Sequence, residues 1–135
     1  MTTDNQGADN TVRRLLELVS AAVVTLCNSN LHAGAMKIAR ALETAAAGDE
    51  TNARLIQIRA YQLKAEIYED SGNDTEAIRV FKESLAILNP SETEYATETL
   101  GLIRALFRTG QHRHGFRVLA HAVLTSLRHA VDQST

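Results

Sequence analysis

The stretch Tyr61–Ser84, YQLKAEIYEDSGNDTEAIRVFKES, decides the fold that we predict for this chain. Large and small side chains recur at fixed offsets on both sides of Gly72, a residue type suited to the left-handed backbone of a helix-ending turn. This pattern predicts two antiparallel helices that pack closely where the small side chains lie. Its elements are Tyr61-x3-Ala65-x2-Tyr68-x3-Gly72-x4-Ala77-x3-Phe81-x2-Ser84.

Composition favours an all-α fold for the whole chain. The 135 residues are 44% hydrophobic and 22% charged, with seven glycines, one proline and few aromatic residues. This length suits one domain with its own core, and the shortage of glycine, proline and aromatic residues favours helices over strands. No apolar run approaches the roughly 18 residues that a membrane crossing needs.

The beginning of the chain and its cysteine content bear on location. Residues 1–10 are polar and lack the basic and apolar regions of a signal peptide. Cys27 is the one cysteine, so no internal disulfide can form, and this fits a reducing compartment. We therefore expect a cytoplasmic or nuclear protein.

We predict six helices in three pairs within a single domain at 11–131, between a flexible polar tail at 1–10 and a short tail at 132–135. Asn10 is the expected N-cap of the first helix, and Ser91 with Glu94 the expected capping box of the fifth. Polar or glycine-containing segments end the helices, and Pro90 stops the fourth. The helices run from about Thr11 to Cys27, His32 to Ala47, Asn52 to Asp70, Asp74 to Leu88, Ser91 to Thr109 and Arg113 to Ala130.

The turns between paired helices repeat along the chain, because Asn30, Gly72 and Gly110 stand at comparable positions. Five residues after each turn comes a small side chain, where a close helix crossing requires one, and four residues later a larger one is expected. The small residues are Ala35, Ala77 and Gly115, and the later positions hold Ala39, Phe81 and Leu119. On the sixth helix we expect Phe116, Leu119, Ala120, Val123 and Leu127 to face inward.

The central unit, Tyr61 to Pro90, resembles the tetratricopeptide repeat (TPR) family. It departs from the family pattern at Lys64, where a large apolar residue is usual, and by one extra residue before Pro90. The resemblance implies an all-α, TPR-like solenoid of three antiparallel helix pairs. It also implies a protein-binding scaffold or adaptor in a multi-subunit assembly, with no enzymatic activity and no cofactor.

A second resemblance concerns the segment Asn30–Leu42, NLHAGAMKIARAL, together with the central unit that follows it. The pair is similar to the N-terminal region of the family of subunit 7 of the anaphase-promoting complex, and Ser91–Glu94 stands where that family begins its next helix. The resemblance implies a homodimer that acts as a scaffold in a ubiquitin ligase of the cell cycle, with this chain as a fragment or short relative. The alternative is a small bacterial TPR-like secretion chaperone that holds a partner helix in its groove.

In a TPR array the first helix of each pair lines a concave groove, which predicts a partner-binding site. Gln62 and Glu66 stand where carboxylate-binding TPR proteins place lysine and asparagine, so we do not expect binding of a chaperone C-terminal carboxylate. Ordinary solvated side chains are the alternative interpretation of these positions. The predicted groove residues are Glu17, Ser20, Val24, Arg59, Gln62, Glu66, Leu100 and Arg104.

The sequence offers no catalytic or metal-binding motif that we would assign. His112 and His114 lie at a turn without cysteine or acidic residues nearby, whereas metal sites need three or four ligands. Cys27 ends an apolar helix, and we expect a small buried core side chain there. We predict no catalytic residue and no metal site.

Charge is distributed unevenly along the chain. Residues 48–99 hold eleven acidic and five basic side chains, and residues 100–135 hold one acidic side chain and five arginines. One explanation of this uneven charge is that these side chains lie on solvated helix faces. The alternative is that the acidic middle and the basic end of the chain bind different partners. With a pI near 6.2, we expect no nucleic-acid partner, although a nucleic-acid-binding regulator is the alternative from another class. The arginines are Arg104, Arg108, Arg113, Arg117 and Arg128.

The first predicted helix is apolar around most of its circumference, and such a helix is usually buried on nearly all sides. One side can pack on the next helices, but Leu15, Leu18 and Val24 would stay exposed unless something covers them. Pairing with a second copy of the helix is the simplest cover, because homo-oligomers favour closed symmetric contacts. The alternative is that the sixth helix or the N-terminal tail folds back over them.

Overall fold

The computed structural model describes the backbone of residues 2–134 and the side chains of residues 10–133. Over this range the chain is all-α, as predicted, with six helices and no strand. None of these helices is both long enough and apolar enough to cross a bilayer. The helices are α1 (Thr2–Asn28), α2 (His32–Ala47), α3 (Ala53–Asp70), α4 (Asp74–Ile87), α5 (Thr93–Arg108) and α6 (His112–Ser134).

The chain divides into two compact units, residues 1–71 and residues 72–135. In the first unit, α1, α2 and α3 all pack against one another. In the second, α5 packs against both α4 and α6. The core of the first unit is built mainly from aliphatic and alanine side chains, which are Leu16, Val23, Ala35, Ala39, Leu42, Ile56, Ala60, Leu63 and Ile67.

The three predicted turn residues are the ones that adopt a left-handed backbone among the described residues. Asn30 has φ of 59°, Gly72 of 79° and Gly110 of 80°. The backbone N–H after Asn30 donates to the carbonyl of Leu26, and the N–H after Gly110 donates in the same way to Leu106, each at 2.8 Å. These bonds close the ends of α1 and α5 with the same helix-ending motif. The repetition of the turns is therefore confirmed at the level of the backbone.

The small side chains predicted five residues after each turn are also confirmed, because Ala35, Ala77 and Gly115 are all buried. An ideal Cβ built on Gly115 would lie 3.0 Å from the Phe107 ring. That ring also meets Phe116 edge-on, with 5.3 Å between centroids. In the second unit, small residues thus allow neighbouring helices to approach closely.

Several helix ends differ from the prediction. α1 begins at Thr2, so Asn10 is not its N-cap, and α6 runs from His112 to Ser134, into the predicted tail at 132–135. The polar residues of these ends contain no proline, and a helix extends readily through them. The capping box at Ser91 is also wrong, since Glu92 is the N-cap of α5 and its carboxylate accepts from the N–H of Asn89 at 2.7 Å. The side chains of 1–9 lie outside the described residues.

Candidate functional site

Two of the predicted groove residues, Ser20 on α1 and Arg59 on α3, contact each other. Nη1 of Arg59 donates a hydrogen bond to Oγ of Ser20 at 2.7 Å, and this hydroxyl donates to the carbonyl of Leu16 at 2.8 Å. The guanidinium group therefore connects neighbouring faces of α1 and α3 within the first unit.

Glu66 lies on the same side of α3 as Arg59 and Gln62, because offsets of three and seven residues bring side chains to one helix face. Desolvation by the surrounding protein raises the pKa of the Glu66 carboxyl, the positive charge of Arg59 lowers it in part, and Glu69 raises it. Glu17 is exposed on α1. Among the predicted groove residues of the first unit, Arg59 thus interacts with both the Ser20 hydroxyl and the Glu66 carboxylate.

The raised pKa of Glu66 has a consequence for stability. The folded state holds this proton more tightly than the unfolded state, so the free energy of unfolding falls as pH rises from the unfolded pKa through the folded one. We expect the melting temperature of Glu66→Gln, relative to wild type, to rise as the pH increases above the usual titration range of a carboxyl group. Circular dichroism melts would measure this difference, with Glu17→Gln as a control for the loss of another carboxylate in the first unit. A pH-independent difference would contradict the assigned shift.

Leu100 and Arg104, the remaining predicted groove residues, lie on α5 in the second unit, and both are exposed. Leu100 contributes to an open cleft of about 420 Å³ between α5 and α6. The wall of this cleft is largely apolar and is completed by Pro90, Tyr95, Ala96, Thr99, Ala122, Val123, Ser126 and Leu127.

The three residues predicted to form a dimer interface are exposed on α1, with Leu18 the most exposed at 68%. At about 100° per residue, Leu15 and Leu18 lie on neighbouring sides of the helix and Val24 lies nearly opposite Leu15. Val24 therefore belongs beside Glu17, with the groove residues. We call Leu15 and Leu18 the α1 patch.

The predicted inward face of α6 is wrong. Phe116 is 61% exposed, and the other large residues expected to face the core, Leu119, Val123 and Leu127, are exposed as well, together with Ala120. Val131 extends the same side of the helix by one turn. We call this exposed face the α6 stripe, composed of Phe116, Leu119, Val123, Leu127 and Val131.

The opposite side of α6 packs inward instead, and it carries smaller or polar side chains. Gly115 is buried against the Phe107 ring, and His114 and Val118 contribute to a second cleft near α5. The large side chain at this contact comes from α5, so α6 needs small residues there. The residues of α6 that are at least partly buried are His114, Gly115, Val118, Ala122, Thr125 and His129.

A cluster that the sequence did not predict forms where the ends of α1, α2 and α3 meet. Cys27 Sγ, one ring nitrogen of His32 and one carboxylate oxygen of Asp70 all lie within 4.8 Å of one another. Nε2 of His32 and Oδ2 of Asp70 are 2.7 Å apart. Cys27 is buried, as expected, and desolvation together with the charges of Asp70 and Glu66 raises the pKa of its thiol. We call Cys27, His32 and Asp70 the three-helix junction.

The turn motif carries two members of this junction. The backbone N–H of Asn30 donates to the carbonyl of Cys27 at 3.0 Å, and α2 begins two residues later with His32. The left-handed Asn30 thereby reverses the chain and brings the cysteine and the histidine together. Asp70 is distant in sequence, and only the packing of α3 brings it to this turn.

The equivalent turn at Gly110 is different in character. His112 packs its ring on Phe107 with 5.2 Å between centroids, and within the described range the grouped metal-ligating side chains include neither His112 nor His114. Nearby, Arg108 donates to Oδ1 of Asp74 from Nε at 3.1 Å and from Nη2 at 2.9 Å. The arginines of residues 100–135 thus include one that is held by an acidic side chain of the same unit.

No protein family, curated protein or solved structure matches this chain.

Proposed function

We propose that this chain is a protein–protein interaction scaffold and that it binds an amphipathic helix of a partner protein on α6. The observation that supports this most strongly is the α6 stripe, whose five large apolar side chains share one exposed helix face. Contiguous exposed apolar surface of this kind is typical of interaction sites. A partner helix can bind such a face through its own apolar side chains when these are spaced by three or four residues.

Charge near the α6 stripe defines the chemistry of the partner. Arg117 and Arg128 are exposed along one edge of the stripe, and Arg113 lies near its N-terminal end. Acidic residues beside the apolar face of a partner helix would complement these guanidinium groups and would speed association. The proposed occupant is therefore an amphipathic helix with acidic flanks.

The cleft between α5 and α6 gives the occupant a place to anchor. Leu100, Val123 and Leu127 meet there, and its wall is mainly apolar. A large apolar side chain of the partner helix would fill it, in the way that buried anchors dominate binding energy at interfaces.

The TPR-like solenoid belongs to this proposal as the finer description of the fold. The repeated left-handed residues Asn30, Gly72 and Gly110 support it, as do the buried small residues that follow them. A scaffold in the anaphase-promoting complex, or a bacterial secretion chaperone, remains a prediction from resemblance. Nucleic-acid binding has less support, because Asp74 already engages one of the five arginines.

The proposal is tested with a display library of amphipathic helices whose flanking residues are acidic in one half and basic in the other. We expect acidic-flanked helices to be enriched and to bind the purified protein in fluorescence anisotropy. Val123→Asp with Leu127→Asp should weaken that binding at least about 100-fold, whereas Leu31→Asp, an exposed leucine in the first unit, should leave it unchanged. Equal enrichment of basic-flanked helices, or binding that survives the α6 substitutions, would contradict it.

A further inference from the structure

We propose that Cys27, His32 and Asp70 form a three-ligand binding site for Zn²⁺ that joins the ends of α1, α2 and α3. The three side chains supply a sulfur, a nitrogen and an oxygen, the donor set that zinc sites in proteins use. They come from three different helices, and their donor atoms already lie within 4.8 Å of one another. The three ligands belong to the first unit, whereas the proposed partner-binding surface on α6 belongs to the second.

For the His32 and Asp70 donor atoms the geometry requires only a small adjustment, while the Cys27 sulfur, within 4.8 Å of them, must approach more closely. Two donor atoms about 2.0–2.1 Å from a tetrahedral zinc ion are separated by about 3.3 Å. Nε2 of His32 and Oδ2 of Asp70 are 2.7 Å apart, the distance expected when a proton joins them. A metal ion in place of that proton would move the two atoms apart by roughly half an ångström, within the range of ordinary side-chain motion.

The backbone holds two of the ligands in place before any metal arrives. The backbone carbonyl of Cys27 accepts the hydrogen bond from the N–H of Asn30 that closes the turn, and His32 begins the next helix. Preorganised ligands bind metal with less loss of conformational freedom. Cys27 is buried, whereas the side chains of His32 and Asp70 are 25% and 48% exposed, so an ion can enter from the solvent side.

The charge of the junction favours a divalent cation. The carboxylates of Asp70 and Glu66 act electrostatically on the Cys27 thiol, so two acidic side chains are close to the proposed site. A thiol that coordinates Zn²⁺ is deprotonated, and its proton passes to bulk water. Three protein ligands leave a fourth position for a water molecule.

The test is a titration of the full chain with Co²⁺, which reports thiolate coordination by a charge-transfer band, followed by competition with Zn²⁺. We expect the band in wild type and its loss in Cys27→Ala. His32→Ala and Asp70→Asn should each weaken the affinity for Zn²⁺ by at least about tenfold. Zn²⁺ at about 100 times its Kd should raise the melting temperature of wild type by roughly 10 °C.

His112→Ala is the matched control, because His112 begins α6 two residues after Gly110, as His32 begins α2 two residues after Asn30. It should bind Co²⁺ and Zn²⁺ like wild type. Three results would each overturn the site: no charge-transfer band in wild type, a Zn²⁺-induced rise in melting temperature that survives Cys27→Ala, or an affinity that Asp70→Asn leaves unchanged. Asp70 is exposed and its substitution conserves shape, so this last variant is expected to fold.

Discussion

Replacing Phe81 by alanine is expected to lower the free energy of unfolding by about 3–5 kcal/mol, because the ring is almost fully buried and its removal leaves a cavity. The ring lies against α5 at Gly101, where an ideal Cβ would come within 2.5 Å of Cζ. The expected drop in melting temperature is roughly 10–20 °C. Chemical denaturation and circular dichroism melts would measure both quantities.

The pairing of Phe81 with Gly101 makes this prediction sharper. Gly101→Ala should cost about 1–3 kcal/mol in the wild-type background, because the new methyl group overlaps the ring. In the Phe81→Ala background the same change should cost nothing, or should stabilise by up to about 1 kcal/mol, since alanine is the better helix former. Additive effects in this double-mutant cycle would show that the two residues do not pack as described.

The second large effect concerns self-association, which we propose to occur through the α1 patch. We expect wild type to be a dimer at micromolar concentration, because Leu15 and Leu18 are exposed and a two-fold contact would cover both copies at once. Leu15→Glu with Leu18→Glu should weaken the dimer at least about 100-fold and leave a folded monomer. Light scattering coupled to size exclusion would measure the change.

The helix itself provides the control for this experiment. Val24→Glu introduces the same charge at another exposed apolar position of α1, but on the side away from the α1 patch. It should leave the dimer intact. A monomeric wild type would contradict self-association, and a dimer that Val123→Asp with Leu127→Asp dissolves would assign the contact to the α6 stripe instead.

The local parts of the fold could be predicted from the sequence because turn chemistry is local. Asn30, Gly72 and Gly110 were identified by residue type and spacing, and each adopts the left-handed backbone. The small residues that follow were identified by the same spacing. Ala35 and Ala77 are fully buried.

The orientation of α6 could not be predicted in the same way. The larger apolar residues of α6 suggested that their face of the helix is buried. The buried side is instead set by the packing against α5, because the Phe107 ring fills the space there and only a residue as small as Gly115 fits beside it. The sizes of the side chains on one helix do not determine which of its faces is buried when the large side chain at the contact belongs to the neighbouring helix. The result is an exposed apolar stripe.

The three-helix junction was missed for a related reason. Cys27 was correctly expected to be buried, and His32 was correctly placed at the start of α2, but Asp70 stands 38 residues after His32. No spacing rule links residues so far apart. Their approach depends on how α3 packs against α1 and α2.

The most direct test of the scaffold proposal is methyl NMR of leucine- and valine-labelled protein, titrated with an acidic-flanked amphipathic helix selected from the library. We predict that the largest shifts fall on Leu119, Val123, Leu127 and Val131 of α6 and on Leu100 of α5, while Leu31 and Val24 in the first unit stay unmoved. Shifts that are absent, or that are largest in the first unit, would contradict the proposal that α6 is the binding surface.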